Sequence, residues 1–121
     1  DSRVSERALR EIYLKGFEIA VKESDPITVM SSYNLINGQH TSESWELLTG
    51  ILRKERGYNG MVTTDWVEKN DPEKEVKAGN DMKMHCGYPE DLKKGYDKGD
   101  ITRADLELCV KRILEMFMKL S

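Results

Sequence analysis

The chain has 121 residues, a formal net charge of -3 and 34% charged residues of mixed sign. That allows one small domain or part of a larger one and offers no basic stripe for nucleic acid. No apolar run approaches the roughly 18 to 20 residues of a membrane span, and the first residues are polar rather than signal-like, so a soluble chain without a membrane partner is expected.

The chain opens on Asp1 rather than Met, which is read as processing or excision from a longer chain and leaves the compartment open. Cys86 and Cys109 form no CxxC pair and are read as free thiols, Cys109 as a small hydrophobe on a helix face. His40 and His85 complete no recognisable metal spacing with them, and neither metal nor cofactor is expected.

Leu9, Ile12, Tyr13, Gly16, Phe17 and Ala20 repeat with the period of a helix, and this face is expected to be buried, Tyr13 with it. Ser5 can cap the start, and Asp25-Pro26 disfavours continuation. Residues 27–32 are uncharged and rich in β-branched side chains, which predicts a central strand. Tyr33, Asn34, Asn37 and Gly38 follow it. A polar turn beyond a buried strand is where an α/β fold places binding groups, while Asn-Gly by itself is also plain turn chemistry. A second helix is expected over 44–54, with Leu47, Leu48, Ile51 and Leu52 inward and with Arg53, Lys54, Glu55 and Arg56 on a solvated face.

Gly57 and Gly60 break that helix, and the run from Met61 to Thr64 reads as a strand that ends on Asp65 and Trp66. A buried parallel strand delivers reactive side chains at its carboxyl end, although an acid there can equally be a cap or turn residue. A polar strand-to-helix loop follows, with Asp71 and Pro72 as N-cap and first helical residue and a short helix ending near Ala78-Gly79. Residues 80–84 suggest a third strand. Asp81 within it reads either as a second acid or as a carboxylate bonded to backbone or a basic side chain. A helix from Tyr88-Pro89 to Lys98 follows, and then a last one capped by Thr102 and Asp105, with Leu106, Cys109, Val110, Ile113, Leu114 and Phe117 as its apolar stripe. The alternation of strands and helices predicts a parallel α/β arrangement with short connections.

Several stretches occur together in order: 5–14 with Phe17, Val29-Met-Ser-Ser-Tyr-Asn34 with Asn37-Gly38, Leu47-Leu48 with Leu52-Arg53, Gly57-Tyr58-Asn59-Gly60 running into Thr64-Asp65-Trp66, then Ala78-Gly79-Asn80-Asp81 and Gly99-Asp100-Ile101-Thr102. Over nearly the whole chain this pattern resembles glycoside hydrolase family 3, in its β-glucosidase-like branch. The resemblance implies that Asp65 is the catalytic nucleophile, at the end of the seventh strand of a (β/α)8-like barrel. It implies that Tyr33, after the sixth strand, is a substrate-binding residue near that nucleophile whose hydroxyl can hold the carboxylate in its attacking geometry, and that Trp66 is a substrate-binding ring beside the sugar. A ring at position 66, rather than a second acid, favours the glucosidase-like branch over members acting on N-acetylglucosamine.

Thr64 stands where many relatives have Ser. A whole (β/α)8 barrel takes about 250 residues, so three candidate strands amount to a partial barrel, the C-terminal portion of an N-terminal barrel domain. The resemblance places the sugar-gripping groups on earlier strands and the general acid/base in a following domain. Neither Asp81 nor Glu68 matches that acid. The resulting expectation is a fragment of a retaining β-glycosidase acting on β-glucosides or oligosaccharides, inactive alone, whose partners are the missing barrel half and the acid-bearing domain. A non-catalytic scaffold or interaction module is the other reading, since an incomplete parallel sheet has open edges that favour self-association.

Overall fold

The computed structural model describes residues 1–67 and 70–121, so the expected loop after Trp66 lies partly outside the described residues, at Glu68 and Lys69. The first helical run comprises α1 (Glu6–Ala8), a π-helical stretch (Leu9–Tyr13) and α2 (Lys15–Ser24). Ser5 caps it by accepting the Ala8 N–H at 3.2 Å. It stops at Asp25, whose φ of 42° turns the chain out of the helix ahead of Pro26.

The apolar stripe of this run is not buried as expected. Tyr13 is exposed, and Phe17 keeps 57% of its surface. The run packs instead through Val21, buried in the core, and through its charged edge: Arg56 donates to the Leu14 carbonyl at 2.7 Å, and Arg10 pairs with Glu55. Leu9, Tyr13 and Phe17 are left lining an apolar groove of about 390 Å³ with Val29, Met30 and Ile51.

Strands β1 (Thr28–Met30) and β4 (Met61–Thr63) pair in parallel with Val29 opposite Val62. The strand expected over 80–84 contracts to one parallel bridge between Thr63 and Met82. The parallel order is therefore β1, β4 and the Met82 segment, in keeping with a partial barrel. β1 is not central as expected: among the described residues it pairs only with β4, and Thr28 and Met30 are exposed. A parallel strand becomes central only when a neighbour covers each edge.

Between β1 and the next helix the chain forms a small hairpin, β2 (Leu35–Ile36) with β3 (Gln39–His40). Asn37 (φ 51°) and Gly38 (φ 86°) occupy the two positive-φ positions that a two-residue hairpin turn demands. The turn reading of this dipeptide is the correct one. Asn37 also bonds both backbone groups of Val4, at 3.0 and 2.8 Å.

The π-helical segment Glu46–Glu55 buries Leu48 and Ile51, and Leu48 joins Val21, Tyr58, Val62 and Ala78 in one core. Tyr58 folds beneath β4 and donates to the Met61 carbonyl at 2.6 Å. A Cβ at Gly60 would meet the Tyr58 hydroxyl at 2.4 Å and the Ile27 carbonyl oxygen at 2.5 Å. Ile27 accepts the Met61 N–H that starts the β1–β4 pairing, so neither atom can yield freely. Gly60→Ala is expected to cost about 1 to 3 kcal/mol, measured by urea denaturation. Retention of full stability would show that the β1–β4 entry is looser than this packing.

Arg53 and Arg56 depart from the solvated face expected of them, because both side chains are buried. Arg53 reaches under the sheet to the carbonyls of Gly60 (2.8 Å) and Gly79 (3.0 Å) and to Asp81 (2.7 Å). After β4 come α3 (Pro72–Ala78), capped by Asp71 and ended by Gly79 at φ 97°, and α4 (Pro89–Lys98). The last helix, α5 (Arg103–Leu120), opens on the Thr102/Asp105 capping box. Its apolar stripe divides. Cys109 is buried and Leu106, Ile113 and Met116 are half-buried, whereas Val110, Leu114 and Phe117 are exposed, because the sheet is too narrow to cover so wide a face.

Candidate active site

The parallel arrangement determines which residues share an end of the sheet. Met30 aligns with Thr63 and Thr63 with Met82, so the segments after β1, β4 and Met82 all emerge at the same carboxyl edge. Tyr33 follows the first, Asp65 and Trp66 the second, and His85 the third. This edge is where parallel α/β sheets place their chemistry.

Asp65 is held by its backbone surroundings. Thr64, fully buried, donates its hydroxyl to the Asp65 carbonyl at 2.8 Å and accepts the Met84 N–H at 2.9 Å. The Thr64 N–H donates to the Met82 carbonyl at 2.9 Å. One residue therefore clamps the end of β4 to the segment beside it. The Trp66 N–H donates to Asp65 Oδ1 at 2.6 Å, a charge-assisted bond that orients the carboxylate on its own turn.

Tyr33 donates its hydroxyl to the Trp66 carbonyl oxygen. The two sequence-predicted neighbours of Asp65 thus meet beside it, the tyrosine bracing the backbone immediately after the acid. The indole of Trp66 remains 53% exposed and lies 5.3 Å from the imidazole of His85 between ring centroids, tilted by 31°. Sequence reasoning considered His85 only as a metal ligand and passed over it as a site residue. Its one usable signal was its place just past the third strand-like segment.

Asp81, the second acid near this edge, does not reach it. Its side chain is 0% exposed and receives Arg53 at 2.7 Å, Arg112 at 2.9 Å and the Val62 N–H at 2.9 Å. This is the structural reading of Asp81, a carboxylate spent on two guanidinium groups and the backbone of β4. Burial pushes the Arg53 guanidinium below its ordinary value, with the Asp81 charge opposing that shift. Lys83 is similarly committed: its ammonium lies 2.8 Å from both oxygens of buried Glu75. Burial pushes the Glu75 carboxyl up, and Lys83 opposes it.

The edge around Asp65 is an open mouth, and the apolar groove lies elsewhere, without Asp65, Tyr33 or Trp66 in its lining. Among the described residues no group of three His, Cys, Asp or Glu side chains is placed to hold a metal ion. Among the described residues the arrangement provides one oriented carboxylate flanked by a phenol and two aromatic rings. Such a site can attack or stabilise a cationic carbon beside a ring with an apolar face.

The family model described as "Glycosyl hydrolase family 3 N terminal domain" matches residues 2–116. Beta-glucosidase A of Butyrivibrio fibrisolvens is 57% identical over 107 residues, which are 88% of this chain and 13% of that protein. An exo-alpha-(1->6)-L-arabinopyranosidase of Bifidobacterium longum is 39% identical over 98% of this chain and 16% of its own length. The solved structure of beta-glucosidase 3B from Thermotoga neapolitana in complex with alpha-D-glucose superposes with a TM-score of 0.90 at 41% identity, covering 94% of this chain and 17% of that one. The chain therefore spans less than a fifth of the length of these relatives.

Proposed function

The chain belongs to glycoside hydrolase family 3, and on that premise we propose that it is the C-terminal portion of the barrel domain of a retaining β-glycosidase, with Asp65 as nucleophile. The parent enzyme removes terminal β-linked glucose or a related sugar. The observation that carries this reading is the position of Asp65 at the carboxyl end of β4, its carboxylate oriented by the Trp66 N–H between Tyr33 and Trp66.

In the first step the ionised Asp65 carboxylate attacks the anomeric carbon. The glycosidic C–O bond breaks while an acid protonates the departing oxygen, giving a glycosyl ester on Asp65. In the second step the same acid group, now a base, takes a proton from water. The water attacks the anomeric carbon, the ester bond breaks, and the carboxylate is regenerated with the sugar's configuration retained. Retaining chemistry needs that second group about 5 to 5.5 Å from the nucleophile. We assign it to a domain outside this chain, as we do the groups on earlier strands that grip the sugar hydroxyls. Tyr33 braces the backbone behind the nucleophile, and Trp66 offers a face to the C–H surface of the pyranose.

Two measurements test the reading. Proton NMR of the first turnovers by the intact enzyme on an aryl β-glucoside is expected to show β-glucose forming first; initial release of the α-anomer excludes the glycosyl-ester mechanism. The 121-residue chain by itself is expected to give no hydrolysis above background. Substantial turnover by it, abolished by Asp65→Ala, would overturn the assignment of the acid to another domain.

A further inference from the structure

Three segments converge at the mouth, and the resemblance accounts for only two of them. The third contributes His85, whose ring stands 5.3 Å from that of Trp66. The backbone just before it is held on two sides. The Met84 N–H donates to the buried Thr64 hydroxyl at 2.9 Å, and that hydroxyl donates to the Asp65 carbonyl at 2.8 Å. The Lys83 ammonium is held by Glu75 on α3 at 2.8 Å and lies 5.8 Å from the centre of the Tyr88 ring at the start of α4. His85 is thereby set in register with Asp65 through a single intervening side chain. Both residues are exposed, so the pair is accessible to a ligand on the sides that the two rings do not turn to each other.

We propose that His85 is a further substrate-binding residue that joins Trp66 in one aromatic wall beside Asp65, taking the apolar face of a ring next to the bond that is cleaved. The inference rests on the reading of Asp65 as nucleophile. The chemistry is that of stacked rings. A tilted pair supports the indole plane and extends the aromatic surface presented to a pyranose or an aryl group, and such ring contacts contribute about 0.5 to 1.5 kcal/mol. His85 acts by contact and by holding Trp66, and it is assigned no proton in the reaction.

His85→Ala in the intact enzyme is expected to raise KM about 2- to 12-fold, the range that this contact energy corresponds to, with kcat changed by less than about twofold. His85→Phe restores a ring and is expected to return KM to within about twofold of the parent value. Methyl β-glucoside and an aryl β-glucoside serve as the two probes. A KM effect on both places the sugar against the wall, and an effect on the aryl substrate alone places the leaving group there; either supports the proposal. Equal KM values for the parent, His85→Ala and His85→Phe overturn it. A loss of kcat that Phe does not rescue overturns it too, because that is the signature of a purely structural role.

A readout independent of catalysis uses the chain itself. With Trp45 replaced by Phe, acrylamide quenching of the remaining Trp66 emission is expected to increase in His85→Ala and recover in His85→Phe. Unchanged quenching removes the wall. Should Asp65→Ala leave the intact enzyme active while both His85 readouts hold, the nucleophile assignment falls and the wall stands.

Discussion

Asp65→Ala in the intact enzyme is expected to lower kcat/KM for an aryl β-glucoside by about 10⁴-fold or more, the scale of loss when a nucleophile that acts as a unit with its acid is deleted. The loss should fall on kcat. In the proposed mechanism Asp65 forms the covalent bond and other groups grip the sugar, so substrate affinity should change little. The fold should survive, because Asp65 is only half-buried and its side chain bonds to the adjacent Trp66 N–H. Steady-state kinetics with a near-ultraviolet circular dichroism control separate these outcomes. A variant within tenfold of the parent in kcat, properly folded, would falsify the nucleophile assignment.

Asp81→Ala tests stability rather than chemistry. The substitution leaves the Arg53 guanidinium buried without its carboxylate, frees Arg112, and orphans the Val62 N–H in the middle of β4. Breaking a buried ion pair by removing one partner costs about 3 to 5 kcal/mol, since the charge left behind stays desolvated. The expected result is a loss of that size in urea denaturation of the chain. Arg112→Met should cost less, because Arg112 lies on the more open side of the cluster and Asp81 keeps its bond to Arg53. Equal losses for the two variants would mean that the cluster is not centred on Asp81.

What the sequence disclosed follows from the range of each interaction. Caps at Ser5, Asp71 and Thr102 and the turn at Asn37-Gly38 were legible because each is decided by bonds within a few residues. The strand delivering Asp65 was legible for a related reason, since an apolar β-branched run followed by an acid is a local pattern. The burial of Arg53 was not, because its partners at Gly79 and Asp81 are more than 25 residues away. Reading Arg53 as solvated relied on the alternating charges around it, which describe the helix surface and not what folds against it.

The stripes of the first and last helices mislead in the opposite direction. Their periodicity correctly marks surface suited to burial, but periodicity does not say whether the covering element belongs to the same stretch of chain. Phe17 and Phe117 remain exposed, and β1 keeps an open edge among the described residues. For the site, the order of the strands fixed Tyr33, Asp65 and Trp66 at one end. The third strand-like segment was legible too, but the proximity of His85 to Trp66 was not, because it depends on how Thr64 holds Met82 and Met84, about 20 residues further along the chain.

Cys109 has a use that follows from its burial. Its sulfur packs 3.8 Å from the Asn80 carbonyl, beneath the turn that leads to Met82, and burial pushes its thiol up to about 12. Cys86, near the mouth, is exposed. A thiol reagent therefore finds one site at once and the other only when α5 lifts from the sheet. The labelling rate of Cys109 becomes a clock for that lifting, and at limiting reagent it converts to the free energy of local opening. Cys109 thus reports how firmly α5 is held against the turn at Asn80.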